Sequence, residues 1–114
     1  MLSVDWVRKT ARNYPGIITK VTPRFLEEAG VIVQGSAKRI APVDSGNLKG
    51  SITREKFHDR AEVGTNVEYA EHVEYGTKHM TAQPYLRPAI DENRKGLLRK
   101  LAELMRAEIQ RGRN

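Results

Sequence analysis

A chain of 114 residues with a formal net charge of +6, 39% hydrophobic and 30% charged residues, has the size of one domain and a core thin enough to invite help from partners. It contains no cysteine, which excludes disulfides, thiolate zinc sites and cysteine nucleophiles. No stretch has the apolar length of a signal-peptide core or a membrane helix, so no membrane role is expected. The basic excess favours acidic partners, and most of it falls at one end, where Arg94, Lys95, Arg99, Lys100, Arg106, Arg111 and Arg113 face only Glu103 and Glu108.

In chain order, Pro15, Gly16 and Pro23 interrupt any helix that would run through the start, which predicts an irregular lead or a short helix over residues 1–21. Thr22 can then cap a helix with Pro23 at its first position, and Leu26, Ala29, Val33, Ala37 and Ile40 recur three or four apart until Pro42 ends the pattern. Gly30 and Gly35 each cost that helix about 1 kcal/mol relative to alanine, a penalty tolerated where another backbone packs close. Asp44, Ser45 and Gly46 form a turn cluster that starts a single helical turn through Leu48. Residues 52–57 and 60–65 read as two strands of a hairpin around His58 and Asp59, with a third strand near residues 73–77. After a loop and Pro84, Leu86, Ile90, Leu97, Leu101, Leu104 and Met105 stripe a long helix from Tyr85 to about Ile109, and residues 111–114 read as a disordered tail.

The fold class is therefore α+β: a small antiparallel sheet of three or four strands packed with two main helices, one before and one after it, in a single domain over residues 1–114. Such a sheet exposes its edges, and exposed edges with a thin core predict a unit that completes itself by assembly.

The candidates for chemistry are weak. His58, His72 and His79 lack the spacing of metal ligands on a helix face, and neither Ser45 nor Ser51 sits in a nucleophile elbow. Gly46, Gly50, Gly64 and Gly76 are scattered through loops without a phosphate-binding pattern. Glu68, Glu71 and Glu74 form an acidic strip whose ordinary reading is that it faces water or pairs with Arg87, although two such carboxylates could serve glycoside hydrolysis. No catalytic residue, cofactor or metal is expected, and the chain reads as a non-enzyme. Tyr69, Tyr75 and Tyr85 suit a core edge or a protein contact equally.

These motifs also have a family likeness. APVDSGNLKGSI at 41–52, Val63-Gly64-Thr65, YAEHVEYGT at 69–77 and PYLRPA at 84–89 resemble the tail components of long-tailed bacteriophages and prophages, whose patterns read APVDTGxLxxSI, YAxxVExGT and QPFLRPA. Ser45 stands where threonine is usual and Tyr85 where phenylalanine is common; the first 20 residues match nothing assignable. The resemblance spans residues 25–110 and implies an assembly protein at the neck or upper tail, acting in tail completion or head-tail joining. It further implies an oligomeric ring of the chain itself between the head connector or adaptor and the tail tube, found in the virion after assembly in the host cytoplasm. Asp44, Ser45, Gly46, Leu48, Tyr69, Glu74, Tyr75, Gly76, Tyr85 and Arg87 are the expected contacts between subunits or with partners. Arg94, Lys95, Arg99, Lys100 and Arg106 are the expected surface near DNA, and a small nucleic-acid-binding protein is the competing class.

Overall fold

A computed structural model describes residues 4–42 and 46–112. The elements are α1 (Val4–Asn13), α2 (Pro15–Ile40), α3 (Gly46–Ser51), β1 (Thr53–Lys56), β2 (Ala61–Gly64), α4 (Ala70–Tyr75) and α5 (Leu86–Gly112). The molecule is long and narrow, 59 × 23 × 18 Å, because two helices of 26 and 27 residues lie side by side along its axis.

Of the two expectations for the lead, irregular chain or a short helix, its described residues take the helix, and the helix that follows starts earlier than expected. Pro15 disfavours helical backbone in the residue before it, and Tyr14 accordingly adopts φ −132° and ψ 71°. That single break separates α1 from α2, and Pro15 then opens α2 with a ring that needs no hydrogen-bond donor there. Pro23, expected at the first helical position, lies inside α2 instead. An interior proline costs roughly 3 kcal/mol, so tertiary packing must hold this stretch: Val21 is buried, and α1 packs on both α2 and α5.

The two long helices run antiparallel, with polar pairs at intervals along their seam. Lys20 meets Glu108 at 3.7 Å, Lys100 meets Glu28 at 3.8 Å, the Asn93 amide donates to Ser36 Oγ at 2.8 Å, and Arg39 pairs with Glu92. Exposed pairs of this kind contribute little each, but together they fix the register. Small residues are among those sealed most completely on these helices: Ala37, Ala89 and Ala102 are fully buried while Ile90, placed in the predicted stripe, is 47% exposed. Met105 is the one residue of that stripe that is fully buried.

Among the described residues the sheet has two strands, where three or four were expected. β1 and β2 pair antiparallel with Glu55 opposite Glu62, and His58 and Asp59 make the turn, as the sequence predicts. The hairpin lies across α2 at Gly30, where an added Cβ would stand 3.4 Å from Arg54 Cδ and 3.7 Å from Ala61 Cβ. Gly35 has open space around it, so the close approach expected at both glycines occurs at one. The expected third strand is α4, because Ala70 and Val73, three residues apart, both turn into the core. The main core gathers Val33, Ala37, Ala41, Leu48, Ile52, Ala70, Val73, Tyr85 and Ala89 at this end of the molecule. α5 continues through Arg111 and Gly112, so the first half of the predicted disordered tail is helical.

Candidate functional site

The motif residues converge on the corner where α4 turns into α5. Gly76 ends α4 with φ +78° and ψ 175°, a backbone region open essentially to glycine alone. A Cβ there would lie 2.8 Å from Ala82 N and 2.9 Å from Met80 O. The following loop folds back on itself: Thr77 N–H donates to Met80 O at 2.8 Å, His79 N–H donates to Thr77 Oγ1 at 3.2 Å, and Gln83 N–H donates to Val73 O at 2.8 Å.

Glu74 closes the corner from inside. Its residue is 3% exposed, and the carboxylate accepts hydrogen bonds from the backbone N–H groups of Tyr85 at 3.0 Å, Leu86 at 2.8 Å and Arg87 at 3.4 Å. These are the orphan donors at the start of α5, so an acid from another helix supplies the cap that the sequence beside Pro84 does not. Arg87 Nε adds a contact at 3.4 Å and extends its guanidinium over the Tyr75 ring, 5.5 Å from the centroid. Burial pushes the Glu74 pKa up, but the three backbone donors and Arg87 outweigh it and hold the carboxyl below its ordinary value.

The same corner carries an unmet hydrogen bond. Tyr85 is fully buried and its hydroxyl has no partner among the described residues; burial and then the nearby Glu74 charge raise its pKa. Tyr85→Phe should therefore leave stability unchanged or raise it by about 1 kcal/mol, since it removes a buried hydroxyl that bonds nothing. A urea midpoint lowered by the substitution would contradict this.

A second set of motif residues meets beside it. Ser51 Oγ donates to Leu48 O at 2.7 Å and lies in hydrogen-bond contact with Thr65 Oγ1, which in turn accepts from Val67 N–H at 3.1 Å. Both strings stand out in the sequence, whereas this link between them appears only in the fold.

Burial sorts the expected contact residues. Leu48, Glu74 and Tyr85 are buried. Tyr75 is 65% exposed and Tyr69 37%, with Met80, which sequence reasoning missed, equally exposed at 37%. The Arg87 side chain is also largely exposed. Gly46 begins α3, and Asp44 and Ser45 lie outside the described residues. Glu68 and Glu71 face solvent, as expected of the acidic strip, whereas Glu74 does not. On α5, Arg94 pairs with Asp91 at 3.0 Å and Lys100 with Glu28, while Lys95, Arg99 and Arg106 form no ion pair among the described residues. Nor do the described residues contain a group of three or more histidines and acids placed to hold a metal. No described helix is long and apolar enough to cross a membrane.

Glu74, Gly76 and the hydrogen bonds of the loop between them and α5 fix the backbone shape of this corner. Residues 5–76, more than half of the chain, match the model of a family described as "Bacteriophage HK97-gp10, putative tail-component". The chain belongs to the HK97-gp10-like family. No curated protein and no solved structure matches it. The HK97-gp10-like match begins in α1, so it takes in the N-terminal residues that the motif resemblance left unassigned. It ends at Gly76, the residue on which the corner turns. Phage tail components are typically structural proteins, and among the described motif residues of this HK97-gp10-like chain Glu74 caps, Gly76 turns, and Leu48 and Tyr85 pack.

Proposed function

We propose that the protein is a non-enzymatic virion component that acts at the neck or upper tail, in tail completion or head-tail joining, as a homo-oligomeric ring between head connector and tail tube. Membership of the tail-component family supports the class. The observation that carries the reading further is the corner itself, a rigid scaffold that holds Tyr69, Tyr75 and Met80 on the surface. Exposed tyrosines on a fixed backbone lose little entropy on docking and suit protein contacts. The contacts are assigned to Tyr69, Tyr75, Gly76 and Arg87 at this corner, with Asp44, Ser45 and Gly46 as a second contributor.

Joint replacement of Tyr69 and Tyr75 by alanine should leave the thermal midpoint within about 2 °C, because neither ring is in the core. The same variant should lose the oligomer in analytical ultracentrifugation and fail to join heads to tails. An oligomer and a virion yield equal to wild type would refute the assignment. Contact with DNA is a second reading, favoured by Lys95, Arg99 and Arg106, which form no ion pair among the described residues. It requires binding that falls steeply with salt.

A further inference from the structure

The hairpin leaves the place of a third strand open. Phe57 N–H donates to Arg60 O at 2.8 Å across the turn, and the register sets Glu55 opposite Glu62. In an antiparallel pair the backbone groups of alternate residues point toward and away from the partner. Arg60, Glu62 and Gly64 thus turn toward β1, and Ala61 and Val63 present their N–H and C=O groups outward, where no described residue bonds them.

That free edge borders an apolar cleft. Leu26, Ala29 and Val33 of α2, Ala61 and Val63 of β2, and Leu86 and Ile90 of α5 line a space of about 170 Å³ without a charged side chain. Ile90 also borders the shallow groove over the outer face of the hairpin, which places it beside β2 rather than beneath it. The opposite edge is guarded differently: the Arg54 and Lys56 side chains of β1 reach Glu27 of α2 at 4.0 and 3.8 Å, the kind of charged edge that discourages pairing. On the outer face of the sheet, Glu55 and Glu62 stand opposite each other, both exposed; Glu62 is paired with Arg60 at 2.9 Å, and Glu55 has no ion-pair partner among the described residues.

We propose that β2 and this cleft form a docking site for one extended segment of a different protein, with aliphatic residues alternating with basic ones. Its backbone would bond Ala61 and Val63, its aliphatic side chains would enter the cleft, and its basic side chains would lie beside Glu62 and Glu55. A second copy of this chain fits less well. Its β1 offers alternating charged residues to an apolar space, and its β2 would add further glutamates to the Glu55–Glu62 pair.

The test uses the whole chain and two synthetic peptides: seven residues alternating lysine and valine, and the same composition with the valines adjacent. The alternating peptide should bind at least tenfold more tightly and slow amide exchange at Ala61 and Val63. Val63→Pro removes an outward N–H without touching the β1 ladder, and Ile90→Lys places a charge at the mouth of the cleft from a position already half exposed. Each should weaken binding at least tenfold while leaving the circular dichroism unchanged. Equal binding of the two peptides, no binding at millimolar concentration, or full binding by both variants would overturn the proposal. So would a concentration-dependent self-association that Val63→Pro abolishes, since that result would give the edge to a second copy.

Discussion

Glu74→Ala should destabilise the protein by about 3 kcal/mol, because it strips the start of α5 of its only acceptor among the described residues and leaves donors in a buried corner. Three backbone N–H groups at one carboxylate constitute a charge-assisted cap, stronger than its neutral equivalents. Glu74→Gln keeps one carbonyl oxygen but loses the charge and should cost roughly half as much. Arg87→Ala is the control. Its side chain is 63% exposed, so its ion pair is screened and its removal should cost less than about 1 kcal/mol. Urea titrations with unchanged slope read all three directly.

The pH dependence of this effect has a definite sign. Glu74 binds its proton more weakly in the folded protein than in the unfolded chain. Its contribution is therefore complete above the unfolded carboxyl pKa, roughly 4.3, and drains away as pH falls through the lowered folded value. Other carboxylates also protonate in this range, so the diagnostic quantity is the difference in midpoint between wild type and Glu74→Gln. That gap should be widest above about pH 5 and close progressively in acid. A gap that stays constant down to pH 2 would mean that the charge of Glu74 does not matter to the cap.

Gly76→Ala is the second large effect, and its cause is backbone geometry rather than charge. The φ of +78° with ψ of 175° costs a residue with a side chain about 3 kcal/mol. The new methyl would also meet Ala82 N and Met80 O, both backbone atoms that can yield only if the whole loop moves. The variant should lose at least that much stability, and the amides of Met80 and Ala82 should shift most in a ¹H–¹⁵N spectrum. A stable Gly76→Ala protein with an unshifted loop would show that the corner is not held as tightly as these contacts require.

Much of this corner was legible in the sequence, but its logic was not. Gly76 could be marked as a turn residue and Arg87 paired with the acidic strip from types and spacing alone. That Glu74 is the one glutamate turned inward could not be read, because the signal is the absence of a cap beside Pro84, and a cap supplied eleven residues upstream has no local pattern. The hairpin and both long helices were visible as periodicity. α4 was mistaken for a strand because six residues give barely one turn of periodicity, and Val73 and Tyr75 favour strands on their own. The start of α2 was misplaced for the opposite reason. Local rules treat Pro23 as a helix start, whereas the burial of Val21 and the Lys20–Glu108 pair draw the helix back to Pro15. Tyr69, Tyr75 and Tyr85 shared one reading on paper, and only the fold separates two surface rings from a sealed one.

The capped start of α5 also acts at a distance. A helix of 27 residues is about 40 Å long, so a tilt of roughly 5° at Glu74 would sweep its far end through about 3 Å, more than the slack in a hydrogen bond. The Lys20–Glu108 pair sits out at that end. Loosening the fulcrum would therefore be felt first where the lever is longest, and damage at the motif corner should surface as misalignment on the opposite flank of the molecule.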